Sequence, residues 1–151
     1  MVDVVERAAM KIYVNQVPAE GLRNHSVYDP STLDMDRFDV HFREPFEVEA
    51  FIMKADQELV VSVEIRAPVH LLCARCLEEF LSVISTDAVL SYKVQPTDVV
   101  DITEDVRQEI ILAYPMIPIC QPDCKGLCSS CGQNLNLGSC SHQQQQAERK
   151  E

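Results

Sequence analysis

The chain has 151 residues, 46% of them hydrophobic, with 6% aromatics and no Trp. That is enough for one ordinary domain with a real core and a small appendage. Thirteen basic against 24 acidic residues leave a formal charge of −11, which repels phosphate and argues against broad non-specific nucleic-acid binding. The first residues carry charges where a signal peptide needs an apolar stretch, and no apolar run approaches the roughly 20 residues of a spanning helix. The expectation is a cytoplasmic protein without membrane contact, in a reducing compartment where thiols stay free for metal.

In chain order, residues 10–17 alternate loosely and read as a first strand, ended by Pro18 and Gly21. Met10 is a second candidate start, which would leave residues 1–9 a loose tail. Residues 21–36 are polar, with Asn24, Asp29-Pro30-Ser31 and Asp34, and read as a loop or short helix. A period of two follows. Phe38, Val40 and Phe42, then Phe46, Val48 and Ala50, then Leu59, Val61, Val63 and Ile65 alternate with mostly polar neighbours, as a sheet with one wet face requires. Residues 54–58 read as a hairpin connection. Pro68 ends the run that begins at Leu59, a further strand over residues 69–73 leads into a Cys73/Cys76 turn, and residues 80–94 form another β-rich run. One helix is expected between residues 101 and 114, with Asp101 or Thr103 as cap and Ile102, Val106, Ile110 and Ala113 at helical spacing. Pro115 and Pro118 end it. Residues 143–151, rich in Gln, read as a disordered tail.

The strongest chemical signal is the cysteines: seven, of which five lie in residues 120–140 as Cys120-x3-Cys124-x3-Cys128-x2-Cys131-x8-Cys140, with His142 just beyond. Cys73-Ala74-Arg75-Cys76 supplies another close pair. Zinc takes four soft ligands in a tetrahedron, and C-x2-4-C spacing lets one turn present two sulfurs to one ion. The eight donors suffice for two sites. The preferred arrangement joins Cys73, Cys76, Cys120 and Cys124 in one, pinning the helix exit to the sheet, and Cys128, Cys131, Cys140 and His142 in the other. Spacing leaves rivals open: Cys73/Cys76 with Cys128/Cys131, or Cys120, Cys124, Cys128 and Cys131 alone. Gly132 after Cys131 tolerates positive φ and lets the turn aim N–H groups at sulfur. Arg75 and Lys125 lie where they can offset the charge of four thiolates.

Other chemistries find less support. A redox pair usually opens a helix in a βαβ setting, which is missing around Cys73 and Cys76. A zinc deaminase needs an His-x-Glu element, and none occurs. All-thiolate sets are closed and structural, whereas a catalytic zinc keeps one position open. His70 near Cys73 has no spacing that suggests catalysis. The expectation is a non-enzymatic protein with no catalytic residue and no small-molecule substrate.

Three stretches together resemble the YceD family of bacterial and plastid proteins linked to large-subunit ribosomal RNA accumulation. They are Cys73-Ala-Arg-Cys76-Leu-Glu-Glu-Phe80, the Gln-Glu-Ile-Ile-Leu-Ala-Tyr-Pro115 helix end, and Cys120-x3-Cys124-Lys-Gly-Leu-Cys128-x2-Cys131-Gly-x-Asn134-Leu-Asn136. The family often closes its cluster with Cys-x-Cys, where this chain has Cys140-Ser141-His142, and many members carry Glu near Ala113 or Tyr114. Shorter relatives lack the final knuckle but keep the first pair and the Cys120/Cys124 region, which favours the preferred pairing. The resemblance implies a role in ribosome assembly or rRNA stability, with large-subunit rRNA or a ribosomal or assembly protein as partner.

The resulting expectation is an α+β fold: an antiparallel sheet with one main packed helix over residues 1–119, and a cysteine-rich zinc-binding segment over 120–142 packed on it. Zinc would hold Lys125, Gly126, Leu127, Asn134 and Asn136 as a recognition surface. An acidic adaptor for a basic ribosomal protein or nuclease is the alternative function, and a thiol redox protein with a reversible Cys73–Cys76 disulfide the third.

Overall fold

The structure, a computed structural model, describes residues 10–142. The loose N-terminal tail and the tail over 143–151 expected from sequence fall outside these residues. Antiparallel pairing dominates. The strands are β1 (Lys11–Tyr13), β2 (Leu22–Tyr28), β3 (Val40–His41), β4 (Phe46–Ala55), β5 (Glu58–Leu72), β6 (Glu79–Lys93) and β7 (Val99–Asp101), followed by the helix α1 (Thr103–Leu112). In the larger sheet β2, β4, β5 and β3 follow one another, and β6 pairs with β5; β1 and β7 make a small sheet of their own.

The chain forms two compact units. Of the described residues, the first comprises residues 10–69 and Ser82–Tyr114, the second His70–Leu81 and residues 115–142. These boundaries differ from a division at residue 119: the Cys73/Cys76 turn groups with the C-terminal segment.

The first unit follows the alternation. Phe46, Val48, Ala50 and Ile52 of β4 and Leu59, Val61, Val63 and Ile65 of β5 are buried, while Glu47, Glu49, Glu64 and Arg66 between them are exposed. The register follows from a tight turn at Asp56-Gln57, which sets Ala55 opposite Glu58 and Val48 opposite Ile65. A slip of one residue would put this whole apolar set in water. On α1 the same unit buries Val106 and Ile110, and cutting Ile110 back to Ala would cost about 2–5 kcal/mol. The Asp101 carboxylate accepts from the Thr103 N–H at 2.9 Å and so serves the helix start. The Arg107 guanidinium donates to the Leu33 and Asp34 carbonyls at 2.6 and 3.0 Å, tying the helix to the loop before β3.

Three local expectations change. Residues 22–28 form strand β2, where a loop or helix was expected from their polarity; β2 is exposed along most of its length and, among the described residues, pairs only with β4, so no buried face imprints an alternation on its sequence. Residues 58–72 form one strand that passes through Pro68, although Pro68 reads as a stop. Residues 10–17 give a three-residue strand and a short 3-10 turn, Val14–Gln16, because β1 pairs with the equally short β7.

Candidate metal centres

Two turns of the same form each present a pair of cysteines. In the first, the Leu77 N–H donates to the Cys73 carbonyl at 3.0 Å and the Cys73 N–H to the Glu78 carbonyl at 2.9 Å. In the second, the Gly132 N–H donates to the Cys128 carbonyl and the Cys128 N–H to the Gln133 carbonyl, both at 2.8 Å. Both turns need a left-handed residue after the second cysteine: Gly132 has φ of 75° and Leu77 φ of 60°. Glycine takes that conformation freely, while a residue with a Cβ is strained there. The sequence marks the second turn by its glycine and hides the first behind a leucine.

The remaining donors complete two sets of four. Sγ atoms of Cys73, Cys76, Cys120 and Cys124 lie within 4.8 Å of one another, and so do the ligand atoms of Cys128, Cys131, Cys140 and His142. This grouping matches the preferred arrangement, and neither rival set is brought together as a separate cluster among the described residues. None of the seven cysteines is in a disulfide.

The spacing suits a metal. Cys73 and Cys124 sulfurs are 3.8 Å apart, and those of Cys76 and Cys120 3.7 Å. A tetrahedron with metal–sulfur bonds of ~2.3 Å has edges of about 3.8 Å, whereas a disulfide needs ~2.05 Å. The second set offers a different sign: the His142 Nδ1 is buried and has no hydrogen-bond partner among the described residues. A buried ring nitrogen without a partner is costly unless something fills its lone pair or takes its proton. Both sets can hold a metal ion.

Their surroundings differ. Cys73, Cys76 and Cys124 are buried and pack with Phe80, Ile119 and Cys120. Cys131 is exposed, and Cys140 and His142 are half-buried. Burial pushes the Cys73 thiol up, but the N–H groups of Cys76, Cys120 and Arg75 outweigh it and hold Cys73 at about 6. Burial among neighbouring thiols sends Cys120 the other way, up to about 12. The Cys131 and Ser130 N–H groups bring Cys128 down to about 6. The Asn136 amide, with the Gly126 N–H, also lowers Cys124, so the first set holds two sulfurs biased toward thiolate and the second holds Cys128.

The five residues expected to face a partner divide. Gly126 is buried with φ of 75°, and a Cβ there would meet the Arg75 carbonyl oxygen at 3.2 Å. Asn136 and Asn134 spend their side chains inside the unit: the Asn136 amide accepts from the Lys125 N–H at 2.9 Å and donates to the Cys124 sulfur at 3.3 Å and to the Asn134 oxygen at 3.0 Å. Leu127 is half-buried and bridges Asn134 across a short hairpin. Lys125 alone of the five is exposed. Arg75 has a more local role than charge balance: its guanidinium donates to the Cys124 carbonyl at 3.2 Å. Sequence reading missed the Asn136–sulfur bond. Its trace is an Asn-x-Asn following a C-x2-C-Gly turn, a pattern equally suited to display.

Residues 90–150 match the family described as "Large ribosomal RNA subunit accumulation protein YceD". Uncharacterised proteins of Mycobacterium bovis and Mycobacterium tuberculosis are each 27% identical over 71% of this chain. The matched region spans 59% of the length of those relatives. A protein of Zea mays described as "Large ribosomal RNA subunit accumulation protein YCED homolog 1, chloroplastic" is 45% identical over 40 residues, covering 26% of this chain and 14% of its own. No solved structure matches. The part of this chain that carries the helix and the cysteine-rich segment is thus similar to the YceD family.

Proposed function

We propose that this protein is a non-enzymatic factor supporting accumulation of large-subunit ribosomal RNA, with zinc at both cysteine sets. The observation that carries the metal half is the coming together of eight donors as two closed sets of four, the first of which joins two turns distant in sequence. Zinc suits thiolate and imidazole donors at this spacing better than magnesium or calcium, which take oxygen. Cys73, Cys76, Cys120 and Cys124 would hold one ion and Cys128, Cys131, Cys140 and His142 the other. The metal would supply cross-links that a small unit with a limited core needs. A structural role fits sets whose four positions are all filled by protein. The rRNA half rests on the family description.

A second reading, an acidic adaptor for a basic protein, draws on a particular feature of the sheet. Glu49 and Glu64 are exposed and directly opposed on β4 and β5, with Glu47 two residues along the same face. Like charges opposed across strands are unfavourable in isolation and are relieved by a basic partner. Among the described residues no helix is long and apolar enough to cross a membrane, so either partner would be met in an aqueous compartment; a cytoplasmic one is proposed.

Metal analysis and crosslinking separate these readings. Purification under reducing conditions followed by elemental analysis should return two zinc ions per chain; an intact fold with none ends the metal reading. Crosslinking in cells should recover large-subunit rRNA at a defined site. Recovery of a basic protein without RNA would instead make the chain an adaptor.

A further inference from the structure

We propose that Asn136 couples the two sulfur sets, so that zinc in the second set tightens zinc binding in the first. This rests on the zinc reading above and adds to it a physical connection inside the second unit.

The connection is a short hairpin. Its stem pairs Leu127 with Asn134, and the Leu135 N–H donates to the Gly126 carbonyl at 2.9 Å. Its turn is the Cys128–Cys131 knuckle. Whatever holds that knuckle therefore positions the returning chain, and the returning chain carries Asn136. There the Asn134 carboxamide oxygen accepts from both the backbone N–H and the side-chain amide of Asn136, at 3.0 Å each. The orientation of the Asn136 amide is determined by its neighbours. Its oxygen must face the Lys125 N–H, a donor at 2.9 Å, so its NH2 group points at the Cys124 sulfur. One side chain thus links the hairpin that carries Cys128 and Cys131 to a sulfur of the first set.

An N–H aimed at a metal-bound thiolate stabilises the charged sulfur and orients it, and loss of such a support typically costs about 10- to 100-fold in metal affinity. The first set is mostly buried and the second is more exposed. The exposed set is therefore the one that gains or loses its ion first, and Asn136 passes that change to the buried one. By linkage the effect is mutual: filling the first set tightens the second by the same factor. Asn136 acts here as a positioning residue, through Cys124.

The test uses the full chain loaded with Zn2+ or with Co2+, whose visible spectrum distinguishes four-sulfur from three-sulfur–one-nitrogen ligation and so reads each set separately. Competition with a chromogenic chelator should show the native chain holding two ions. Asn136→Leu should weaken the first set by about 10- to 100-fold. Cys131→Ser should weaken it comparably in the native background and add little in the Asn136→Leu background, the signature of a shared path. If Asn136→Leu fails to fold, Asn136→Asp keeps the oxygen for the Lys125 N–H and removes the N–H aimed at sulfur. A native chain with two ions whose first-set affinity is indifferent to Cys131→Ser overturns the coupling alone. A native chain that takes up neither ion overturns the coupling and the zinc reading together.

Discussion

The two knuckles share a backbone and differ in nearly everything around it. Cys73-x2-Cys76 is followed by Leu77, left-handed and 62% exposed, while Cys128-x2-Cys131 is followed by Gly132 in the same conformation at no steric cost. The first set is buried with Phe80 and Ile119 and collects sulfurs about fifty residues apart in sequence, Cys73 and Cys124 among them. The second is local, spanning residues 128–142, with an exposed Cys131. The difference teaches that a sulfur turn is made by its hydrogen bonds, and that packing decides how firmly it is held. Strain at Leu77 is tolerated where long-range contacts surround the turn. The local set relies on glycine.

The largest effect that would sharpen this comparison is removal of a sulfur from the buried set. Cys73→Ser should abolish binding at that set and forfeit much of the ~10 kcal/mol that a structural zinc contributes, seen as loss of metal and a large fall in melting temperature. Cys131→Ser should cost one ion with a smaller fall in melting temperature. Equal falls from the two substitutions would erase the distinction between a packed set and an exposed one.

Acid should separate the sets next. A thiol whose folded pKa is depressed contributes stability at pH above its unfolded value, and that stability is lost as pH falls through the folded value. For Cys73 and Cys128, both held at about 6, the window runs from the ordinary thiol range near 9 down through 6. Bound metal should be kept at pH 8 and lost in the acid part of that window, since protons compete for the same sulfurs. The second set should release first, because it is more open to water. Metal retention measured by Co2+ absorbance from pH 8 to 5 would show two steps; a single step would mean the sets behave as one.

The smallest effect concerns the residue after each knuckle. Gly132→Leu should destabilise by about 1–2 kcal/mol, the cost of a left-handed non-glycine residue. Leu77→Gly should relieve similar strain but gain unfolded-state entropy worth about 0.4–1 kcal/mol, for a net change within about 1 kcal/mol. Thermal unfolding of both variants in the metal-loaded form measures the asymmetry. A strongly destabilised Leu77→Gly would mean that the leucine side chain has a packing role its exposure conceals.

Much of this molecule was legible in the residues alone, for identifiable reasons. Alternation at Phe46–Ile52 and Leu59–Ile65 set the inward face of β4 and β5, because a half-wet sheet imposes its period of two on sequence. Ile102, Val106 and Ile110 marked the helix, and the density of cysteines marked metal chemistry. Edge strand β2 was not legible, since solvent along most of its length leaves no period to read. The continuity of β5 through Pro68 was not legible either, because whether a proline interrupts a strand depends on what its neighbours would bond to. Spacing could propose which cysteines share an ion but left rivals standing; only long-range packing put Cys120 and Cys124 beside Cys73 and Cys76. Asn136 shows the limit most plainly. Sequence determined that an amide sits after the second knuckle, while tertiary structure decided that it faces a sulfur. The reason is that a side chain's chemistry is local, and the group it meets is chosen by the path of the whole chain.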